Sequence, residues 1–241
     1  MIRLAVTGTD TGVGKTVIAR GVAASLTARG LRVAGMKPVE TGVGRDVPSD
    51  AERLRRAAGG LDSLDEVCPV TFAEPLAPLV AAERAGRPID MELLDAAFHR
   101  LSAGRDAVVV EGAGGLLVPL APQLSYAGLF ARWRLGLIVV AANRLGALNH
   151  TLLTVQAARA AALTIRCVIL NSPTRETPDL AMQTNAAALA RLLPRVPVLV
   201  WPWIAESDDD GALASHAERV GVVGLITGAP AASLHSTEQT T

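Results

Sequence analysis

The sequence predicts an α/β fold: a mostly parallel sheet with helices on both faces. Three observations predict it. Short apolar runs without polar alternation recur along the chain, as in strands buried on both sides. Longer amphipathic stretches separate those runs, as the crossovers of a parallel sheet require. The chain has 241 residues, 50% of them hydrophobic, enough for one sizeable core and too apolar for disorder over most of the length. No linker composition or repeat period divides it, so the reading is one domain over residues 1–227 with a polar, disordered tail over 228–241.

Element by element, Ile2–Thr7 reads as a buried strand running into the Gly-rich segment Gly8–Thr16. A helix follows from Lys15 to about Arg29, and Gly30 ends it. Leu31–Met36 is the next strand. Ser49 can cap a helix that begins near Asp50. Pro69, Pro75 and Pro78 make Cys68–Pro78 a loop or broken helix rather than a central strand. A helix is expected over Met91–Ala103 and a strand over Asp106–Glu111. Strands at Leu135–Ala142 and Ile165–Leu170 are each followed by a loop and a helix. Val196–Trp201 is the last strand, and Asp208–Asp210 start a final helix over Gly211–Val220.

Charge narrows the functions. The chain carries 23 basic and 23 acidic residues and only seven aromatics (three Phe, three Trp, one Tyr). No basic block or stacking platform for nucleic acid stands out. Cys68 and Cys167 make neither a disulfide framework nor a zinc site, and the four histidines have no metal spacing. No signal segment or apolar run of ~18 residues appears, so a cytoplasmic protein without membrane or nucleic-acid partners is expected. Of the basic residues, 21 are Arg and two are Lys, Lys15 and Lys37. Codon bias explains the Arg excess; the two lysines that survive it mark sites where a compact ammonium is required.

The sharpest motif is GTDTGVGKT, Gly8–Thr16, between a strand and a helix. This is the setting of a P-loop: glycines let backbone N–H groups turn toward phosphate oxygens, and the helix start adds positive potential. Lys15 can reach the β- and γ-phosphates and Thr16 can ligate Mg²⁺. Five residues separate Gly8 from Gly14, one more than usual. The chain therefore reads as a single-domain P-loop NTPase. Glu111 ends an apolar run, where such proteins hold Mg²⁺, and Gly112, Gly114 and Gly115 let backbone approach a ligand. Lys37 ends the second strand on the ligand edge of the sheet, and Thr41 lies in the loop beyond. Asp50 is either a further Mg²⁺ ligand or a plain helix-start carboxylate. Asn171 offers the donor and acceptor that read an adenine edge, or simply a turn. Gly146–His150 opens a helix whose free N–H groups suit a carboxylate.

These residues resemble the dethiobiotin synthetase family. The matching segments are TGTDTGVGKT at 7–16, KPVETG at 37–42, TFAEPLAP at 71–78, VEGAGG at 110–115, LGALNH at 145–150 and PWIAE at 202–206. The resemblance implies a ligase that takes 7,8-diaminopelargonic acid, CO₂ or bicarbonate and ATP to dethiobiotin, ADP and phosphate, with Mg²⁺, as a homodimer. It implies Lys15 and Lys37 as catalytic residues, and Thr16, Asp50 and Glu111 as metal ligands. For ATP it implies Gly12, Val13, Gly14, Lys15, Thr16 and Val17, then Asp50, Glu111, Gly112, Ala113 and Gly114. On the adenine side it implies Asn171, Ser172, Pro202, Trp203 and Ile204, with Asp209 chosen for the ribose. For the diamine it implies Thr11, Lys37 and Thr41, and Gly146 and Asn149 for the carboxylate in the partner's site. Two departures stand out: position 12 is Gly where some members have Glu, and position 41 is Thr where Ser is familiar. Regulatory P-loop ATPases of the partition or division-site type resemble the same fold, but carry a Lys five residues before the P-loop Lys, where this chain has Asp10. Cobyrinate synthases of the amidotransferase type resemble it in this domain and add a glutaminase domain.

Overall fold

The computed structural model describes residues 1–44 and 49–228. Strands β1 (Ile2–Gly8), β2 (Val33–Met36), β5 (Ala107–Gly115), β8 (Gly136–Ala142), β9 (Ile165–Asn171) and β10 (Val198–Trp201) form one six-stranded sheet. Its order is β10-β9-β8-β1-β5-β2 and every neighbouring pair is parallel. All six strands therefore end on one edge, and chain reversals after each can meet there.

Alternate residues of each strand feed two separate cores. Leu4, Val6 and Val109 face helices α1 (Lys15–Ala28), α2 (Asp50–Ala57), α9 (Asp210–Val220) and α10 (Val222–Thr227). Ala5, Val108 and Val110 face the other side, with α5 (Met91–Ser102), α6 (Tyr126–Arg132), α7 (Ala147–Ala160) and α8 (Leu180–Leu192). Both faces are apolar because both are covered, which is why the strands read as unbroken runs.

The structure departs from the sequence reading in four places. Cys68–Pro78 is not all loop: α3 (Leu64–Val67) leads into β4 (Val70–Phe72), which pairs in parallel with β3 (Val39–Thr41) in a small sheet apart from the main one. Pro69 and Pro75 flank β4 rather than interrupt it, and Pro78 starts α4 (Pro78–Arg84), where a missing N–H costs nothing. Thr41 accordingly ends a strand instead of sitting in a loop. Glu111 does not end its strand, since β5 continues to Gly115 before the β6 (Pro119–Ala121) and β7 (Leu124–Ser125) hairpin. Finally, α9 is followed by α10, with Gly221 in the left-handed region between them. Of the expected tail, Gly228 ends α10, and 229–241 lie outside the described residues. Among the described residues no helix is long and apolar enough to cross a membrane.

Gly21 illustrates how tightly one face is packed. It sits mid-helix in α1, where alanine normally gains about 1 kcal/mol. A Cβ there would lie 2.8 Å from Trp201 Cη2 and 3.2 Å from the Leu213 carbonyl oxygen. Overpacking of this kind costs about 1–3 kcal/mol and outweighs the propensity gain. Gly21→Ala is expected to lower Tm by a few degrees, roughly 2–4 °C per kcal/mol lost, in thermal unfolding followed by circular dichroism; a raised Tm would contradict this packing.

Candidate active site

The loop after β1 is shaped by what it cannot accommodate. A Cβ on Gly8 would lie 2.7 Å from the Asp10 carbonyl oxygen and 2.8 Å from Val13 Cγ2. Gly14 caps α1 with φ 95° and no side-chain hydrogen bond, so the first N–H groups of the helix stay available to an anion. Asn171, at the end of β9, donates from Nδ2 to the Val13 carbonyl at 2.9 Å, and a Cβ on Gly14 would fall 2.1 Å from that nitrogen. The loop is thus held from the neighbouring strand as well as by its own turn. Lys15 folds back on it, donating from Nζ to the Asp10 carbonyl at 2.9 Å. Burial first, then the nearby Lys37 ammonium, lowers the Lys15 amine to about 8.

Facing Lys15 is a buried ion cluster. Lys37 follows β2 and is 3% exposed; Glu111 lies within β5 and is wholly buried. Lys37 Nζ donates to Glu111 Oε1 at 2.6 Å, to Asp50 Oδ2 at 3.3 Å and to the Gly112 carbonyl at 3.3 Å. Thr16 Oγ1 donates to the same Glu111 oxygen at 2.8 Å. Burial disfavours the Lys37 ammonium, but Glu111 and Asp50 outweigh it and raise its affinity for the proton above that of an ordinary lysine. Burial holds the Glu111 carboxyl above the ordinary carboxylate range, although Lys37 pulls it down. One oxygen shared by an ammonium and a hydroxyl donor is the geometry of a carboxylate. Its other oxygen, Oε2, is buried with no hydrogen-bond partner among the described residues.

A β5 irregularity shapes the wall beside these groups. Against β1, Val6 pairs with Glu111 and Gly8 with Gly115, so two steps along β1 match four along β5. The extra residues bow out at Gly112, Ala113 and Gly114.

The resulting cavity, of about 620 Å³, gathers most of the residues singled out in the sequence. Thr11, Gly12, Gly14, Lys15, Thr16 and Val17 line one side, and Lys37, Thr41 and Asp50 another. Glu111, Ala113 and Gly114 complete the wall. Val13 is buried beneath the loop, and Gly112 meets the cavity through its carbonyl contact with Lys37. Asn171 is buried, its amide N–H spent on the P-loop. Ser172 lies beside it, its N–H bonded to the Trp201 carbonyl. Pro202, Trp203 and Ile204 follow β10 on the same sheet edge but do not line the cavity. Asp209 caps α9, its Oδ1 accepting from Gly211 and Ala212 N–H, so that oxygen serves the fold. Gly146 and Asn149 are exposed at the start of α7, outside this cavity.

The sequence reading missed Glu40. Its buried carboxylate accepts from the N–H groups of Asp50 at 2.7 Å and Ala51 at 3.2 Å, anchoring the start of α2 together with the Ser49 cap. It sits within the KPVETG segment, but nothing in the sequence links it to a helix ten residues on. Pro75, Leu76, Ala77 and Pro78 of the TFAEPLAP segment also line the cavity. That segment was legible as diagnostic, without a place.

Residues 3–209 match the AAA domain family AAA_26. The chain is 48% identical over 200 residues to the ATP-dependent dethiobiotin synthetase BioD of Anaeromyxobacter dehalogenans (strain 2CP-C), covering 83% of this chain and 89% of the relative. The chain belongs to the dethiobiotin synthetase family. Membership makes it a ligase-type enzyme of biotin biosynthesis that uses ATP. The family's ATP-dependent dethiobiotin synthetase BioD of Aquifex aeolicus (strain VF5) is 43% identical over 184 residues, 76% of this chain and 81% of that one. The solved structure of Cyanthece apo McdA aligns with a TM-score of 0.55 at 13% identity, over 95% of this chain and 99% of that chain. At that identity it shows the fold alone.

The lowered Lys15 amine gives a pH signature. Below about 8 the free protein carries the ammonium; as pH rises through that value the proton is lost, and a bound phosphate must draw it back. The ATP Kd is expected to be flat near pH 7 and to weaken toward about tenfold per pH unit above 8, with proton uptake on binding. Calorimetry in buffers of different ionisation enthalpy checks this; a Kd independent of pH up to about 9.5 would contradict it.

Proposed function

We propose that the chain carboxylates 7,8-diaminopelargonic acid with CO₂ and closes its ureido ring at the expense of ATP, giving dethiobiotin, ADP and phosphate. One amine adds to CO₂ and loses a proton, forming a carbamate. A carbamate oxygen attacks the γ-phosphorus and ADP leaves. The second amine attacks the carbonyl carbon of the mixed anhydride, and phosphate leaves as the ring closes. The observation that carries this reading is the convergence of both lysines of the chain on one cavity at the P-loop.

The chemistry needs that convergence. Carbamate and γ-phosphate are both anions, and two unit charges about 4 Å apart repel by about 4 kcal/mol at an effective dielectric of 20. In this reading Lys15 meets the phosphate side, Lys37 stands between phosphate and carbamate, and Thr11 and Thr41 orient the diamine. Holding both amines on one face makes ring closure intramolecular, where positioning supplies much of the rate. The P-loop amides of Gly12 to Val17 and the bowed Gly112–Gly114 segment hold the triphosphate. Asn171, Ser172, Pro202, Trp203 and Ile204 flank the base, with Asp209 the candidate for the ribose. Residues 1–227 act as one catalytic domain. Gly146 and Asn149, remote from their own cavity, would complete the substrate-carboxylate site of the second subunit in a homodimer. A cytoplasmic setting fits a small-molecule ligase of this kind.

Mg²⁺ fits the donor set present. No group of three or more His, Cys, Asp or Glu lies together among the described residues. Mg²⁺ bound with a nucleotide, however, takes only one or two carboxylates, a hydroxyl and phosphate oxygens. Thr16, Asp50 and Glu111 are of that type, and the Glu111 Oε2, without a partner among the described residues, is a ready acceptor. Bound there, Mg²⁺ would supply charge neutralisation at the phosphates.

Purified protein given diamine, bicarbonate and Mg·ATP is expected to form a product of dethiobiotin mass; ATP turnover without diamine-dependent product would sink the reading. Lys37→Ala is expected to cut kcat by roughly 100-fold or more, as for removal of a donor to a developing anion, while ATP still binds. Lys37→Arg keeps the charge, changes its shape, and is also expected to be slow; near-normal kcat in either variant would remove Lys37 from the mechanism.

A further inference from the structure

We propose that Arg20 is a positioning residue for the nucleotide, which fixes the base-side loop to the helix that grips the phosphates. Arg20 lies on α1 just beyond the P-loop and is 1% exposed. A guanidinium so deeply buried needs partners for its donors. Its partners all belong to the segment after β10. Nε donates to Asp210 Oδ1 at 2.8 Å, Nη1 to the Ser207 carbonyl at 2.9 Å and Nη2 to the Asp208 carbonyl at 2.9 Å. Arg56 on α2 takes the second oxygen of Asp210 at 3.2 Å, so the acceptor is itself held in place.

The other end of the same segment rests on the next residue of α1. Trp201, the last residue of β10, packs so closely on Gly21 that no Cβ fits between them. The stretch from Trp201 to Asp210 therefore begins and ends on consecutive residues of one helix, Gly21 and Arg20. Between those two anchors Pro202 and Trp203 are exposed. Between one and two turns toward its start, α1 begins after the Gly14 cap, with Lys15 and Thr16 in the cavity. Phosphate grip and base-side loop thus ride on a single rigid element, which sets the span a nucleotide must bridge. Arg20 reaches the loop through two of its backbone carbonyls, so a shorter or apolar side chain removes both of those anchors without altering the P-loop sequence, leaving the Arg53 contact to the Asp208 side chain.

This inference rests on the proposed placement of Pro202–Ile204 at the base, and the test separates the two. Kd values for Mg·ATP and for Mg·tripolyphosphate, which has no base, are measured by calorimetry on the full chain. Arg20→Met is expected to weaken ATP by about tenfold, the equivalent of one or two charge-assisted hydrogen bonds, and to leave tripolyphosphate within about twofold. At saturating ATP, kcat and the KM for the diamine stay within about threefold, because the reacting groups are untouched. Should Arg20→Met fail to fold by circular dichroism, Arg20→Lys, which keeps the charge and one donor direction, carries the same comparison. Equal weakening of both ligands would make Arg20 a general support of α1 and overturn the proposal, as would an unchanged ATP Kd. Trp203→Ala is the control: if it leaves the ATP Kd at the wild-type value, the base placement fails on its own account and takes the premise with it.

Discussion

An ammonium and a carboxylate share a buried pocket at the mouth of the sheet, and the rest of the site is organised around them. Taking each ion out of water costs several kcal/mol, and mutual attraction recovers that only with good geometry and further hydrogen bonds. Lys37 has three acceptors and Glu111 two donors on one oxygen, with the second oxygen unmatched among the described residues. A pair left incompletely satisfied is a weak fold stabiliser. It makes sense as a charge reservoir, held rigid before any anion arrives, so that the proposed meeting of phosphate and carbamate would need little reorganisation.

The sheet makes that reservoir possible. Six parallel strands deliver their ends to one edge, and the four-for-two mismatch between β5 and β1 opens the wall there. Supports come from buried side chains around the cavity, and Glu40 also lines it. Asn171 holds the P-loop backbone from β9, Glu40 holds the first amides of α2 and so places Asp50, and Arg20 holds the segment after β10. Each is a buried polar side chain that satisfies backbone groups of a neighbouring element and ties it to the site.

Much of this was legible in the sequence. Both-face burial makes unbroken apolar runs, so every strand of the main sheet could be located, and Ser49 could be read as a cap because its effect is local. Lys15, Thr16, Lys37 and Glu111 could be placed on one edge because a parallel sheet leaves strand ends no other place to go. The small β3–β4 sheet was hidden, since three-residue strands between prolines carry no period. Glu111 reads as a strand end because the glycines after it look like a loop, and in fact they continue the ladder in irregular form. Glu40 and Arg20 escaped because their partners belong to other elements, ten residues on for Glu40 and 190 residues on for the Arg20–Asp210 contact.

The lysine count has a practical consequence. Both side-chain amines of this sequence line a single cavity, and one of the two loses its proton at about pH 8, well below an ordinary lysine. Amine-directed acylating reagents applied to the folded chain meet no surface lysines that would compete for them. Covalent labelling that would be a blur on a lysine-rich surface becomes here a direct gauge of whether the nucleotide pocket is filled.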